Sequence, residues 1–346
     1  MNANSEIVTP PAKPRWKSWL QNLTLSAVVF LLCLLIFEVA LRFCGYGNLE
    51  IYQPDPKLYW RLKPNQNCYT KIGHKPVHIN ARGTRGPEFT TEKPPGTFRI
   101  LSLGDSRTFG WGLTDDETYS RRLEYLLQQQ IGSGRKVEVI NAGVNAWSYP
   151  QMYVYFRDCG LRYHPDYVIV DGANLWTQFS EKNSPKFVRQ LMWRVRLKNF
   201  LRHFAIYHFV VEVQLQEFYQ RERTKFIPVD PKHDTLFKAE QQSDPDAVFR
   251  DALESLCRVA QTNRVRPVLL FLPSLGELTA TGRVDLLEVY RGVSAKFGVP
   301  LVDMTAELKP SGKALYLEAD VVHLRAQGNA MVAKRLFETV TNNLTQ

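Results

Sequence analysis

The chain of 346 residues is 44% hydrophobic and 23% charged, which fits a folded globular body and excludes wholesale disorder. Its 44 Lys and Arg outnumber 34 Asp and Glu, for a net charge of +10, which points to an anionic surface or polymer as partner. No zinc-finger spacing or RNP-like aromatic motif accompanies the charge, so no nucleic acid is expected.

From the N-terminus, residues 1–19 read as a cytoplasmic tail, with Pro10, Pro11 and Pro14 in it. Residues 20–43 read as a transmembrane signal anchor, because the run LTLSAVVFLLCLLIF is broken only by Thr24 and Ser26 and the whole stretch is long enough to span a bilayer. Glu38 lies near one end and can pair with Arg42. The rival readings are a buried core helix and a cleaved signal peptide. No small-x-small cleavage site follows the run and no lipobox precedes Cys44, which favours an uncleaved anchor. Lys13, Arg15 and Lys17 precede it, while Arg42 alone follows closely. The positive flank predicts a single-pass protein with its N-terminus in the cytoplasm and its large domain outside, on the periplasmic side in a Gram-negative cell.

Residues 44–96, rich in Pro, Asn, Tyr and Lys, read as a segment wrapping the domain that follows over 97–346. That domain alternates. FRILSLGDS is a buried strand ending at Gly104, 119–130 a helix with Leu123, Leu126 and Leu127 on one face, and 137–140 a strand running into NAGVNAWS. A helix over 151–159 precedes a strand over 167–170 that runs into DGANLW. The alternation breaks over about 177–245, a helical, aromatic and basic insertion. It reads as a cap over the site or as a face for a membrane surface. Helices over 248–262, 284–297 and 326–342, with strands over 267–272 and 300–303, complete an α/β pattern with a parallel sheet.

Catalytic groups in such a sheet belong at the carboxyl ends of strands. Ser106 follows the first strand as a candidate nucleophile, His323 is the candidate base, and Asp320 the carboxylate that orients it. Donors for an oxyanion are expected from the Ser106 N–H, the Gly143 N–H and the Asn174 amide. Arg107 is a candidate for binding an anionic substrate group, or else pairs with a carboxylate. Asp105 is expected to tie down the loop under the serine, and Asp171 to be structural or substrate-facing. None of the five cysteines forms a C-x-x-C pair, and the histidines outside the site show no metal-ligand spacing. NARGTRG does not open a helix after a strand, so no metal, nucleotide or other cofactor is expected. Free buried thiols and disulfides both remain open.

These blocks resemble those of the SGNH (GDSL) hydrolase family, its membrane-anchored bacterial members in particular. LGDSRTFGWGL carries the serine Ser106, INAGVNAWS the glycine Gly143, DGANLW the asparagine Asn174, and DVVH the pair Asp320 and His323. The resemblance implies a flavodoxin-like three-layer α/β/α fold and activity on esters of lipids, sugars or polysaccharides. The sequence departs from the family where Leu175 follows Asn174 in place of an acidic residue, and where Arg107 follows the serine. The leading reading is an anchored serine esterase acting on an O-acyl or O-acetyl glycan or lipid outside the cytoplasm. The rivals are an O-acyltransferase using the same three residues and a non-catalytic scaffold in envelope polysaccharide assembly.

Overall fold

The computed structural model describes residues 15–70, 74–132, 134–172, 184–215, 245–278, 285–318 and 320–342. The part of the expected tail over 1–14, Asn174, and the parts of the expected cap over 177–183 and 216–244 lie outside the described residues.

The apolar run forms α1 (Arg15–Phe43), a 29-residue helix, about 43 Å long at 1.5 Å per residue. Its apolar stretch is almost wholly exposed, which excludes a buried core helix and leaves an anchor or a signal sequence. Two antiparallel hairpins follow: β1 (Tyr52–Asp55) with β2 (Tyr59–Leu62), and β3 (Gln66–Tyr69) with β4 (Pro76–Ile79). Tyr59, Leu62, Cys68, Val77 and Ile79 are buried in the main core. All five cysteines are free.

Five parallel strands follow among the described residues: β5 (Thr97–Gly104), β6 (Lys136–Gly143), β7 (Tyr167–Val170), β8 (Arg266–Phe271) and β9 (Leu301–Asp303). They lie in the order β6-β5-β7-β8-β9, the flavodoxin-like arrangement. The helices between and after them include α2 (Ser106–Phe109), α3 (Tyr119–Ile131), α4 (Tyr149–Asp158), α5 (Pro185–Leu201), α6 (Ala205–Tyr207), α7 (Pro245–Thr262), α8 (Asp285–Phe297) and α9 (Ala326–Asn342). Residues His208–Gln214 add a π-helical stretch after α6.

Because side chains alternate along a strand, each strand feeds two cores. Leu101, Leu103, Ile140, Ala142, Val168 and Val170 face a core shared with α4, α7 and α8. Ile100, Val139, Ile169, Val268 and Leu270 face a second core shared with α3 and α9. These two cores make the three α/β/α layers. Each fully buried side chain of this kind contributes about 1.5–3 kcal/mol. The helix expected over 151–159 begins two residues earlier, because Ser148 and Gln151 form a capping box and Pro150 fits the first turn.

Candidate active site

Ser106 opens α2 at the carboxyl end of β5, beside β7, where the strand order reverses. The Asp105 carboxylate accepts from the Arg107 N–H at 2.9 Å and fixes this first turn. After one turn the chain reverses at Gly110, whose φ is 88°, and the N–H groups of Gly110 and Trp111 both donate to the Ser106 carbonyl. The turn lies hard against the sheet. A Cβ on Gly143 would come within 2.2 Å of the Phe109 nitrogen, and one on Gly104 within 1.9 Å of Thr108 Oγ1.

Arg85, from the segment before the sheet, clamps the far end of the turn. Its buried guanidinium donates to the carbonyls of Phe109 and Gly110, both at 2.8 Å, and to that of Leu113, and it pairs with Asp115 at 2.7 Å. Arg85 sits in the NARGTRG run, which has no role in the sequence reading. Its basic character is the only signal it carries there.

His323 reaches the same point from the loop before α9. Its Nε2 lies 2.7 Å from Ser106 Oγ, and its Nδ1 lies 2.7 Å from Asp320 Oδ2. The other Asp320 oxygen accepts from the backbone N–H groups of Val322 and His323, at 2.7 and 2.9 Å. The loop is pinned by the Leu275 N–H, which donates to the Val321 carbonyl at 2.7 Å. Burial raises the Asp320 carboxyl, but the hydrogen bonds and charge of His323 and the two backbone donors bring it below the usual carboxylate value. The Trp111 ring stacks on the imidazole, with centroids 5.8 Å apart and planes 22° apart. Sequence reasoning missed Trp111. Its place in LGDSRTFGWGL, five residues after the serine, is the only pointer to it.

The remaining candidates fare differently. Arg107 is buried under the site. Its guanidinium pairs with Asp171 at 2.8 Å, lies 3.6 Å from Asp105, and donates to the Leu272 carbonyl at the end of β8. Of its two readings, the structure shows the carboxylate pair. The Gly143 N–H already donates to Asn141 Oδ1 at 3.0 Å, and the absence of a side chain there is what admits α2. Ala146, three residues on, is exposed with a left-handed φ of 64°, a backbone state uncommon for a residue with a Cβ. Asp171 is fully buried. Burial pushes its carboxyl up to about 7, against the opposing pull of Arg107. Tyr119 ties this floor together, its hydroxyl 2.8 Å from Thr108 Oγ1 and 3.1 Å from Ser102 Oγ.

A hydroxyl, an imidazole and a carboxylate in series at the carboxyl edge of such a sheet are the groups that ester hydrolysis uses. A sequence model of the GDSL-like lipase/acylhydrolase family matches residues 102–331. The chain belongs to that family and is a hydrolase acting on esters. Among solved structures it is similar to the psychrotrophic esterase EstA of Pseudoalteromonas sp., at 13% identity over 72% of this chain and 99% of that one, with a TM-score of 0.43. It is also similar to the lipase/acylhydrolase of Enterococcus faecalis, at 16% identity, 71% and 96% coverage and a TM-score of 0.43. A third is an acetyl-xylooligosaccharide esterase of Geobacillus, solved as a mutant, at 15% identity, 70% and 93% coverage and a TM-score of 0.45. No curated protein sequence matches it.

Proposed function

We propose that the chain is a serine esterase held in a membrane by α1, with its hydrolase domain outside the cytoplasm, removing an acyl group such as acetyl from a glycan or lipid. The observation that carries the catalytic part is the series from Ser106 Oγ through the His323 ring to Asp320, with 2.7 Å at each of its two contacts. In this reading His323 takes the Ser106 proton as Oγ attacks the ester carbonyl. Asp320 holds the ring in the tautomer that can accept and stabilises the imidazolium. The alcohol leaves with that proton, and water, activated by the same ring, frees the acyl group from the serine. The Ser106 N–H, at the first position of α2, and the Asn174 amide would receive the oxyanion, and each such donor is worth about 3 kcal/mol. The exposed apolar surface of α1 and the basic residues before it support the anchor and its orientation.

The test uses the full chain in detergent with a fluorophosphonate probe and p-nitrophenyl acetate. Wild type is expected to label and to hydrolyse, and Ser106→Ala to lose both, with turnover down by roughly 10⁴-fold or more. A wild type that neither labels nor hydrolyses overturns the reading. Acyl transfer to an added oligosaccharide that outpaces hydrolysis replaces the esterase with an acyltransferase.

A further inference from the structure

We propose that residues 185–215 form a second membrane contact, a helical face that seats the domain in the headgroup layer of an anionic bilayer beside α1. The proposal rests on the reading of α1 as an anchor.

α5 has two apolar faces. Phe187, Val188 and Leu191 point inward and pack on the main core. The Asn199 side chain holds the backbone N–H of Tyr52 at 3.2 Å, and Arg202 at the end of the helix is buried against Glu50. On the opposite face Trp193 is 60% exposed, Leu197 43%, Phe200 61% and Phe204 42%. The spacing of four and three residues puts Trp193, Leu197 and Phe200 in one stripe on α5, and Phe204 lies just past its end, before α6. A soluble domain has no use for such a stripe on the side away from its core. The charge around it is of one sign: Pro185–Leu201 holds five Lys or Arg and no Asp or Glu. Arg189, Arg194 and Arg196 are exposed. Apolar side chains flanked by arginine match an interface between acyl chains and anionic headgroups.

The stripe leads directly to α1. Both Glu38 oxygens accept from α6, from the N–H groups of Ala205 and Ile206 at 2.9 Å each, and Arg42 donates to the His203 carbonyl at 2.6 Å. Phe37 meets Phe209 edge-on at 6.1 Å, and Tyr46 meets the same ring at 5.0 Å. Phe37 lies six residues before the end of α1, about 9 Å along its axis. With the end of α1 set at the headgroup boundary, Phe209 is held at the depth of an interfacial helix, about 5–10 Å below it. Val210, Val211 and Leu215, each 40–42% exposed, continue the apolar surface from that point. Among the possible occupants, the bilayer is favoured because the helix that enters it is already bonded to this segment.

The test reconstitutes the full chain in nanodiscs of phosphatidylcholine and phosphatidylglycerol, with and without lipid brominated near the headgroup. The emission lost in Trp193→Phe, taken as a difference spectrum against wild type, reports the proposed contact. The emission lost in Trp19→Phe reports α1. Both components are expected to fall at least twofold with brominated lipid. The Trp193 component is expected to quench less in Arg194→Gln/Arg196→Gln, and less in phosphatidylcholine alone. A quenched Trp19 with an unquenched Trp193 overturns the proposal and leaves the anchor standing, and neither quenched overturns both. Trp193 shielded from brominated lipid and from aqueous acrylamide means a protein partner covers the face, and the proposal fails. Quenching that ignores lipid charge and both arginines overturns its anionic part.

Discussion

Two carboxylates flank Ser106, and they have opposite characters. Asp320 is nearly buried and accepts three hydrogen bonds, two of them from its own loop's backbone and one from His323, and its carboxyl lies below the usual value. Asp171 is fully buried against a cation, and its carboxyl is pushed up to about 7. Donor number and burial together decide the difference. A carboxylate that must support a charged imidazole is surrounded by N–H groups that favour its ionised form. A carboxylate that must hold a helix in place tolerates a costly environment, because Asp171 itself, the Leu272 carbonyl and Asp105 fix the Arg107 fork at three points. In the proposed mechanism the same residue type therefore serves chemistry at the rim and position in the floor.

The largest effect that sharpens this contrast is expected at the rim. Asp320→Asn keeps the shape but removes the charge and can turn the ring to the wrong tautomer. Ester turnover is expected to fall by roughly 10³–10⁴-fold while the unfolding midpoint moves little. Initial rates on p-nitrophenyl acetate beside a thermal melt of the full chain in detergent measure both. A loss of less than tenfold would mean that Asp320 does not support the imidazole, and the contrast collapses.

How much of this was legible in the sequence follows from the distance over which each interaction acts. β5, β6, β7 and β8 are short apolar runs because both faces are buried, and such runs are visible without any partner. The strand ends then select Ser106, and the position before α9 selects Asp320 and His323, since a parallel sheet collects its functional groups at one edge. The four-residue strands β1 to β4 were legible only as short strand-like patches, because each is brief and burial along β1 and β2 follows no period of two. Arg107 was visible as a departure, but its partner Asp171 is 64 residues away and only the sheet order brings the two together. Gly143 was chosen for its N–H, whereas the packing of α2 on β6 explains the glycine. Glu38 pairs with Arg42 at helix spacing, as its sequence suggests, while its bonds to Ala205 and Ile206 span more than 160 positions.

The second effect belongs to the floor and is read as stability. Asp171→Ala leaves the buried Arg107 guanidinium with Asp105 at 3.6 Å as its nearest carboxylate. It is expected to cost about 3–5 kcal/mol. Replacing both partners, Arg107→Met with Asp171→Leu, removes the charge together with its counter-charge and is expected to cost much less than the single change. Denaturant unfolding of the two variants gives the comparison. A double variant no more stable than Asp171→Ala would show that packing around the fork, and not charge, holds α2.

The smallest effect is a slope. Asp171 has its folded value raised to about 7 from an ordinary 3.8. Between those values the folded chain keeps a proton that the unfolded chain has lost, so its contribution to stability is complete below pH 3.8 and is lost as pH rises through about 7. One proton limits the slope to about 1.4 kcal/mol per pH unit. Asp320, lowered from 3.8, acts in the opposite sense, and its contribution disappears only as the pH falls below that value, outside this window. Unfolding free energies of wild type and Asp171→Asn from pH 4 to 8 isolate the effect, because every other titrating group is common to both chains. Wild type is expected to lose stability relative to the variant from pH 4 to about 7 and to run parallel above it. Curves parallel throughout would mean that Arg107 keeps Asp171 ionised across the range, which would give the two carboxylates the same protonation state at neutral pH and leave burial alone to distinguish them.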